Sequence, residues 1–271
     1  MTRRLAAGAI AAVLGLIAIA TLASPAQAQA GTGTVSVVHG IPGVTVDVYV
    51  DDVLTLPSFT PGTVAGPLTL PAATYAIEIY AAGANPAVDA AVITASVALP
   101  AGANASLVAN LDAGGTPVLT TFVNDTAAAA PGSGRVVVRH TAAAPAVDVL
   151  ADGAVVFPNL TNPNSVQADL PAGTVQASVN LAGTATTVIG PAPVTVEAGM
   201  ATIVYAIGSA EAGTLGVVVQ MVPLAGPQLV VQTGTSGLQD PAGAPVWAVA
   251  GLVVALAGLA VAGRRLVTAR S

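Results

Sequence analysis

The chain of 271 residues contains no cysteine, one tryptophan and two histidines. Lysine is missing too, since all seven basic residues are arginine. Only 7% of the residues are charged and 3% are aromatic, against 54% hydrophobic. Each shortage removes a kind of chemistry. Without cysteine there is no disulfide, no thiolate nucleophile, no zinc–thiolate site and no lipid-modified cysteine. Without lysine there is no phosphate-loop lysine and no Schiff base. Only Arg135 and Arg139 lie between positions 5 and 263. Two cations cannot neutralise a run of phosphates, so no nucleic-acid partner is expected.

Much of the hydrophobicity is gathered at the ends. Arg3 and Arg4 precede an apolar run over 5–22, and Ala26-Gln27-Ala28 and Ala28-Gln29-Ala30 are small-x-small sites. Residues 1–30 therefore read as a secretory signal peptide. The stretch 245–263 has no charge, and Arg264, Arg265 and Arg270 follow it. As a helix it spans about 28 Å, the thickness of a hydrocarbon core. Basic residues stay on the cytoplasmic side. The expectation is a single-pass type I protein of the cell membrane, with its domains extracellular and a cytoplasmic tail over 264–271.

All thirteen acidic residues and only two arginines fall within 31–244, so that stretch carries a charge of about −11. This keeps it soluble and repels other polyanions. Val44, Val46, Val48 and Val50 alternate with Thr45, Asp47, Tyr49 and Asp51. Period-two β-branched residues mark a half-buried strand, and Asp51-Asp52 reads as a hairpin turn. Similar runs recur, punctuated by Pro-Gly, Gly-Gly and Asn-Pro. Seven or eight short strands per hundred residues predict an all-β fold of two tandem immunoglobulin-like β-sandwiches.

The second half repeats the first. His39 and His140, Asp47 and Asp148, and Asp51 and Asp152 are each 101 residues apart. Equal order with small shifts indicates duplication. The expected domains are 31–124 and 135–222, joined by a linker at 125–134. A Gly/Pro/Thr-rich stalk follows at 223–244.

The run of His39, Pro42, Val46-Asp47-Val48-Tyr49 and Asp51 resembles a bacterial family, domain of unknown function 4397. Its members read H-A-S-P-x-x-P-x-V-D-V-Y-x-D-G, then L-P-A-G-x-Y. The second repeat resembles it at His140, Pro145, Val147-Asp148-Val149, Asp152-Gly153 and Leu170-Pro171-Ala172-Gly173. Departures are Gly40-Ile41, Asp52 and Ala73 in the first repeat, and Leu150 for Tyr in the second. The resemblance implies a sandwich-type β fold and an envelope location in actinobacterial secreted and surface proteins. It implies no activity.

The functional alternatives are weighed on few residues. A His/Asp site would use His39 with Asp47, or His140 with Asp148. In a hairpin about 40–43 these would not be neighbours, so the histidines are expected to hold turns. Asp51-Asp52 is the one adjacent acidic pair, and no D-x-D-x-D-G calcium loop exists. No catalytic, cofactor-binding or metal-ligating residue is assigned, and no enzyme activity is expected. Tyr75 is expected to point inward. Tyr49 is expected outward and is the candidate surface contact. Arg135 and Arg139 share one strand face, as edge charges or partners for Asp. The expected role is structural or adhesive, toward an envelope polymer or surface protein. The alternative is a glycan- or small-solute-binding module.

Overall fold

The computed structural model describes residues 31–226. The expected signal peptide, transmembrane helix, tail and all but the first few stalk residues lie outside the described residues. Every regular element described is a strand. No helix among the described residues is long and apolar enough to cross a membrane.

The first repeat holds β1 (Thr32–His39), β2 (Val46–Val50), β3 (Val53–Phe59), β4 (Val64–Pro71), β5 (Ala73–Ala81), β6 (Ile93–Leu99), β7 (Asn104–Leu111) and β8 (Pro117–Val123). The second holds β9 (Ser133–His140), β10 (Val147–Ala151), β11 (Ala154–Leu160), β12 (Ser165–Pro171), β13 (Gly173–Leu181), β14 (Thr187–Val196), β15 (Met200–Ile207) and β16 (Gly216–Pro223). The first repeat forms the sheets β4-β1-β7-β8 and β3-β2-β5-β6. The second forms β12-β9-β15-β16 and β11-β10-β13-β14, the same order strand for strand. Pairing is antiparallel except for β1 with β7 and β9 with β15, which are parallel.

The fold is therefore all-β, with sheets in two sandwich-like pairs. The strand distribution differs from the immunoglobulin arrangement expected from the sequence. Eight strands divide four and four, rather than seven dividing A-B-E-D from C-F-G. The cause lies at the first turn. β1 and β2 are not paired as a hairpin about 40–43, because the chain crosses there from one sheet to the other. β2 instead hairpins with β3 through Asp51 and Asp52, both at positive φ (47° and 65°). Asp152 (49°) and Gly153 (82°) do the same between β10 and β11. Two successive left-handed residues make the turn whose twist suits a two-residue hairpin.

Burial follows from side-chain alternation. In the first sandwich Val35, Val37, Val46, Val48, Ile77 and Ile79 meet in one core. A smaller core of Val138, Val147, Val149 and Leu160 lies in the second. A third cluster joins the repeats. Val38 and Val108 of the first sandwich pack with Val137, Ile203, Tyr205 and Val218 of the second. The β1–β7 sheet and the β9–β15 sheet thus face each other, and the four sheets stack as layers. Strands covered on both faces need no polar alternation. This accounts for β7 (NASLVANL) and β15 (MATIVYAI), whose residues are nearly all buried.

The segment 125–134 is tied down rather than a free spacer. Asp125 pairs with Arg135 at 2.8 Å, and Ala129 packs on the inter-repeat cluster. At the far end Leu224 is buried, and its N–H donates to Gly199. Ala225 N–H donates to the Thr126 carbonyl at 2.7 Å. The chain leaves the second sandwich a few residues beyond the boundary expected at 222.

Shared burial makes the two repeats one cooperative unit. Calorimetry of the protein is expected to show a single unfolding transition for the β region, with van't Hoff and calorimetric enthalpies equal. Two separated transitions would mean that the inter-repeat cluster adds no coupling.

Candidate functional site

The family-like residues come first, because they are the polar groups both repeats share. β1 ends in His39, whose ring is fully buried and whose Nε2 lies 2.7 Å from the Val44 carbonyl. A carbonyl only accepts, so Nε2 carries the proton and Nδ1 is free to accept. The Ile41 N–H points at it from 3.4 Å. His140 repeats the Nε2 contact, with the Pro145 carbonyl at 3.0 Å, but no N–H reaches its Nδ1. The carbonyl five residues after each histidine is thus the equivalent group. Pro42 and Pro145 are not counterparts: Pro42 lies in the turn before Gly43, two residues upstream of the carbonyl that the ring holds.

The aspartates behave in the same way. Asp47 accepts from Ser58 N–H (2.7 Å) and Gly83 N–H (2.9 Å). Asp148 accepts from Asn159 N–H and Gly183 N–H, both at 2.8 Å. These two backbone bonds hold the Asp148 carboxyl below the usual carboxylate range. Asp51 accepts from Ala76 N–H at 2.8 Å, and Asp152 from Gln176 N–H at 2.9 Å. Ser58 and Asn159, which donate to the two inner aspartates, both sit at positive φ (48° and 54°). The carboxylates thus stabilise bends in β3 and β11 that the backbone would not favour alone.

His39 and Asp47 share no hydrogen bond, nor do His140 and Asp148. No group of three His, Asp or Glu side chains is placed to hold a metal ion among the described residues. Tyr75 faces the first core, as expected, and its hydroxyl donates to the Pro71 carbonyl at 2.7 Å. Tyr49 is half-buried rather than a free platform. It packs edge-on to Tyr80, with centroids 5.4 Å apart at 77°.

A second polar constellation was not anticipated from the sequence. Arg139 lies on β9, between β12 and β15, so it is not an edge charge. Its side chain enters the inter-repeat seam and is 3% exposed. Nη1 donates to the Tyr205 hydroxyl (2.8 Å), and Nη2 to Asn124 Oδ1 (2.7 Å). The guanidinium carbon stands 4.3 Å from the Phe122 ring centroid. Tyr205 donates to Gln220 Oε1 at 2.6 Å, and Ser106 donates to the same oxygen at 2.9 Å. Asn124 donates back to Ser106 at 3.0 Å. Asn124 and Ser106 belong to the first repeat, and Arg139, Tyr205 and Gln220 to the second, so the ring of bonds stitches them together. Among the described residues no carboxylate pairs with Arg139. Burial pushes its pKa down and that of Tyr205 up. Arg135, four residues earlier, has the carboxylates that Arg139 lacks. Asp169 takes it bidentately at 2.7 and 3.0 Å, and raises its pKa. The available sequence signal was the pairing of two lone arginines with strands that lack polar alternation.

Residues 33–150 match the family described as Domain of unknown function (DUF4397). The chain carries a domain of this family. The match runs beyond β8 and ends within β10. The DUF4397 region thus includes His140 and Asp148 as well as His39, Asp47 and Asp51. No curated protein matches the chain. Among solved structures, the Bacillus anthracis TIE protein is similar at 13% identity and a TM-score of 0.19. That similarity covers 62% of this chain and 31% of the other. The chain spans about a third of that protein's length, and a likeness this low carries no argument.

Two outcomes follow. Arg139→Ala leaves the Tyr205 hydroxyl and Asn124 Oδ1 without their buried donor. It is expected to cost about 3 kcal/mol or more, read as a lower urea midpoint with an unchanged slope. The histidines give a pH dependence. Burial holds both below the ordinary imidazole value, outweighing the carbonyl contacts that raise it. The unfolded chain takes up protons first on acidification, so stability is complete above about pH 6.5 and falls below it, toward the lowered folded values. Urea unfolding between pH 7.5 and pH 5 checks this. In the His39→Gln/His140→Gln protein the decline over that window is expected to flatten.

Proposed function

We propose that this is an exported, membrane-anchored cell-surface protein whose double sandwich has a structural or adhesive role rather than a catalytic one. The observation that carries the reading is the employment of the family-like side chains. His39 and His140, Asp47 and Asp148, and Asp51 and Asp152 hydrogen-bond to backbone groups of turns at equivalent positions in both repeats. A motif consumed in holding turns is a fold motif, and leaves no general base or nucleophile poised. The acidic surface suits an exposed, soluble position. The signal-like start and the uncharged stretch 245–263 support export and anchoring. Partners on this reading are the membrane, through that stretch, and an envelope polymer or surface protein. Glycan binding is the weaker reading, because Tyr49 is committed to Tyr80.

Two measurements test it. Protease added to intact cells is expected to remove the β region and spare a short membrane-bound fragment. A screen of the full chain against envelope polysaccharides and calcium is expected to show no saturable small-ligand binding to the polar faces. Saturable binding of one defined glycan, lost on Tyr49→Ala, would replace the structural reading with a lectin-like one.

A further inference from the structure

Between the two sheets of the second sandwich lies a cavity of about 200 Å³. Its walls include Val138, Val149, Phe157, Leu170, Val179 and Ile189. The one polar side chain on the wall is Ser178. A related gap of about 160 Å³ lies in the first sandwich. The two differ in how they are closed. In the first repeat β6 lies against β8 and covers the edge of the opposite sheet. In the second, β14 lies against β9 and β15 instead. The edge strand β16 is left uncovered on its inner face. Val217 and Val219 line the cavity and yet are 46% and 50% exposed. Val156, on β11 at the far edge of the opposite sheet, also lines the cavity and is 45% exposed. The cavity therefore opens to solvent through an apolar mouth.

The lining selects the ligand. A sugar, nucleotide or peptide would bring N–H and O–H groups against walls that offer them no partner, at about 1–3 kcal/mol each. A hydrocarbon chain needs none, and gains about 0.8 kcal/mol per methylene buried. Apolar cavities of about 150 Å³ stay dry and take up benzene or xenon, so this one has room for a length of chain. The net negative charge of residues 31–244 disfavours an anionic head. We infer that the second sandwich binds one hydrocarbon chain of a neutral amphiphile, with the tail between the sheets, the mouth beside β16 as its way in, and the polar head outside.

Photolabelling tests this on the full chain in phosphatidylcholine vesicles. The probe is a long-chain alcohol carrying a diazirine near its tail end, given either free in solution or preloaded in the vesicles. Peptide mapping is expected to find label on the walls of the second cavity, on β11, β14 and β16. Unlabelled alcohol should compete it away. Label that reaches the cavity only from the vesicles marks a bilayer lipid as the source, and label from both arms marks any neutral chain. Filling the gap with Ala168→Leu/Ala192→Leu should lower that labelling at least about tenfold. Val219→Asp, at an exposed position that tolerates the change, should do the same without altering the near-ultraviolet dichroism. Label confined to 245–263, label spread evenly over the outer faces, or cavity labelling unchanged in a folded Val219→Asp protein would each overturn the inference. None of these results alters the export or anchoring reading.

Discussion

The seam between the β1–β7 and β9–β15 sheets is the constraint on which the rest of the structure depends. The central strands of these two sheets have almost no solvent-facing residues. Each gives alternate residues to its own sandwich and to the seam: Val35, Val37 and Leu107 turn outward, while Val38 and Val108 turn toward the other repeat. Removing either repeat would expose that face of its partner. The stack also limits what the protein can present outside. Only the outer sheets, the edges and the connecting loops remain as surface, and the acidic residues are concentrated there.

A seam of valine and isoleucine alone would be sticky but indifferent to register. Arg139 makes it particular. The guanidinium is buried without a carboxylate, and its positive charge is met by the Tyr205 hydroxyl, the Asn124 carbonyl oxygen and the Phe122 ring face. Neutral acceptors return less than a carboxylate would, so this arrangement is not an obvious gain over a hydrophobic side chain. Its benefit is geometric. The ring of bonds through Gln220, Ser106 and Asn124 closes only when the two repeats meet in one alignment. Any slip would leave a buried cation and several buried polar atoms unpartnered.

The sequence carried much of this, though unevenly. The repeat was legible because His39/His140 and Asp47/Asp148 stand at a fixed offset, and the offset survives as identical strand order. The Asp51-Asp52 hairpin was legible because two-residue turns need left-handed residues, which Asp tolerates. The distribution of strands between sheets was not. A Gly-Ile-Pro-Gly turn is read locally as a hairpin, whereas here it carries the chain across the sandwich. Whether such a turn doubles back or crosses over is decided by what the next strand pairs with, and β2 pairs with β3 and β5. The seam was missed for a related reason. Arg135 and Arg139 on one strand face look like solvent-facing charges until β7 and β15 are recognised as strands covered on both sides.

The same composition that excludes so much chemistry also shapes the interior. Close packing between two sheets is normally achieved by large side chains from both inner faces, filling a layer about 10 Å thick. This chain has three Phe and one Trp, and alanine stands at many inner positions. In the first repeat, Ile77, Ile79, Leu99 and Leu107 partly make up the volume. In the second, the corresponding core shrinks to four buried side chains, three of them valine. Small side chains between two sheets, whose separation is set where larger ones such as Phe157 and Leu160 meet, leave part of the layer unfilled. Apolar space is the consequence, and it lies beside the edge that β14 leaves open. The feature best able to accept a ligand thus comes from the shortage of bulky residues, not from any cluster of polar ones.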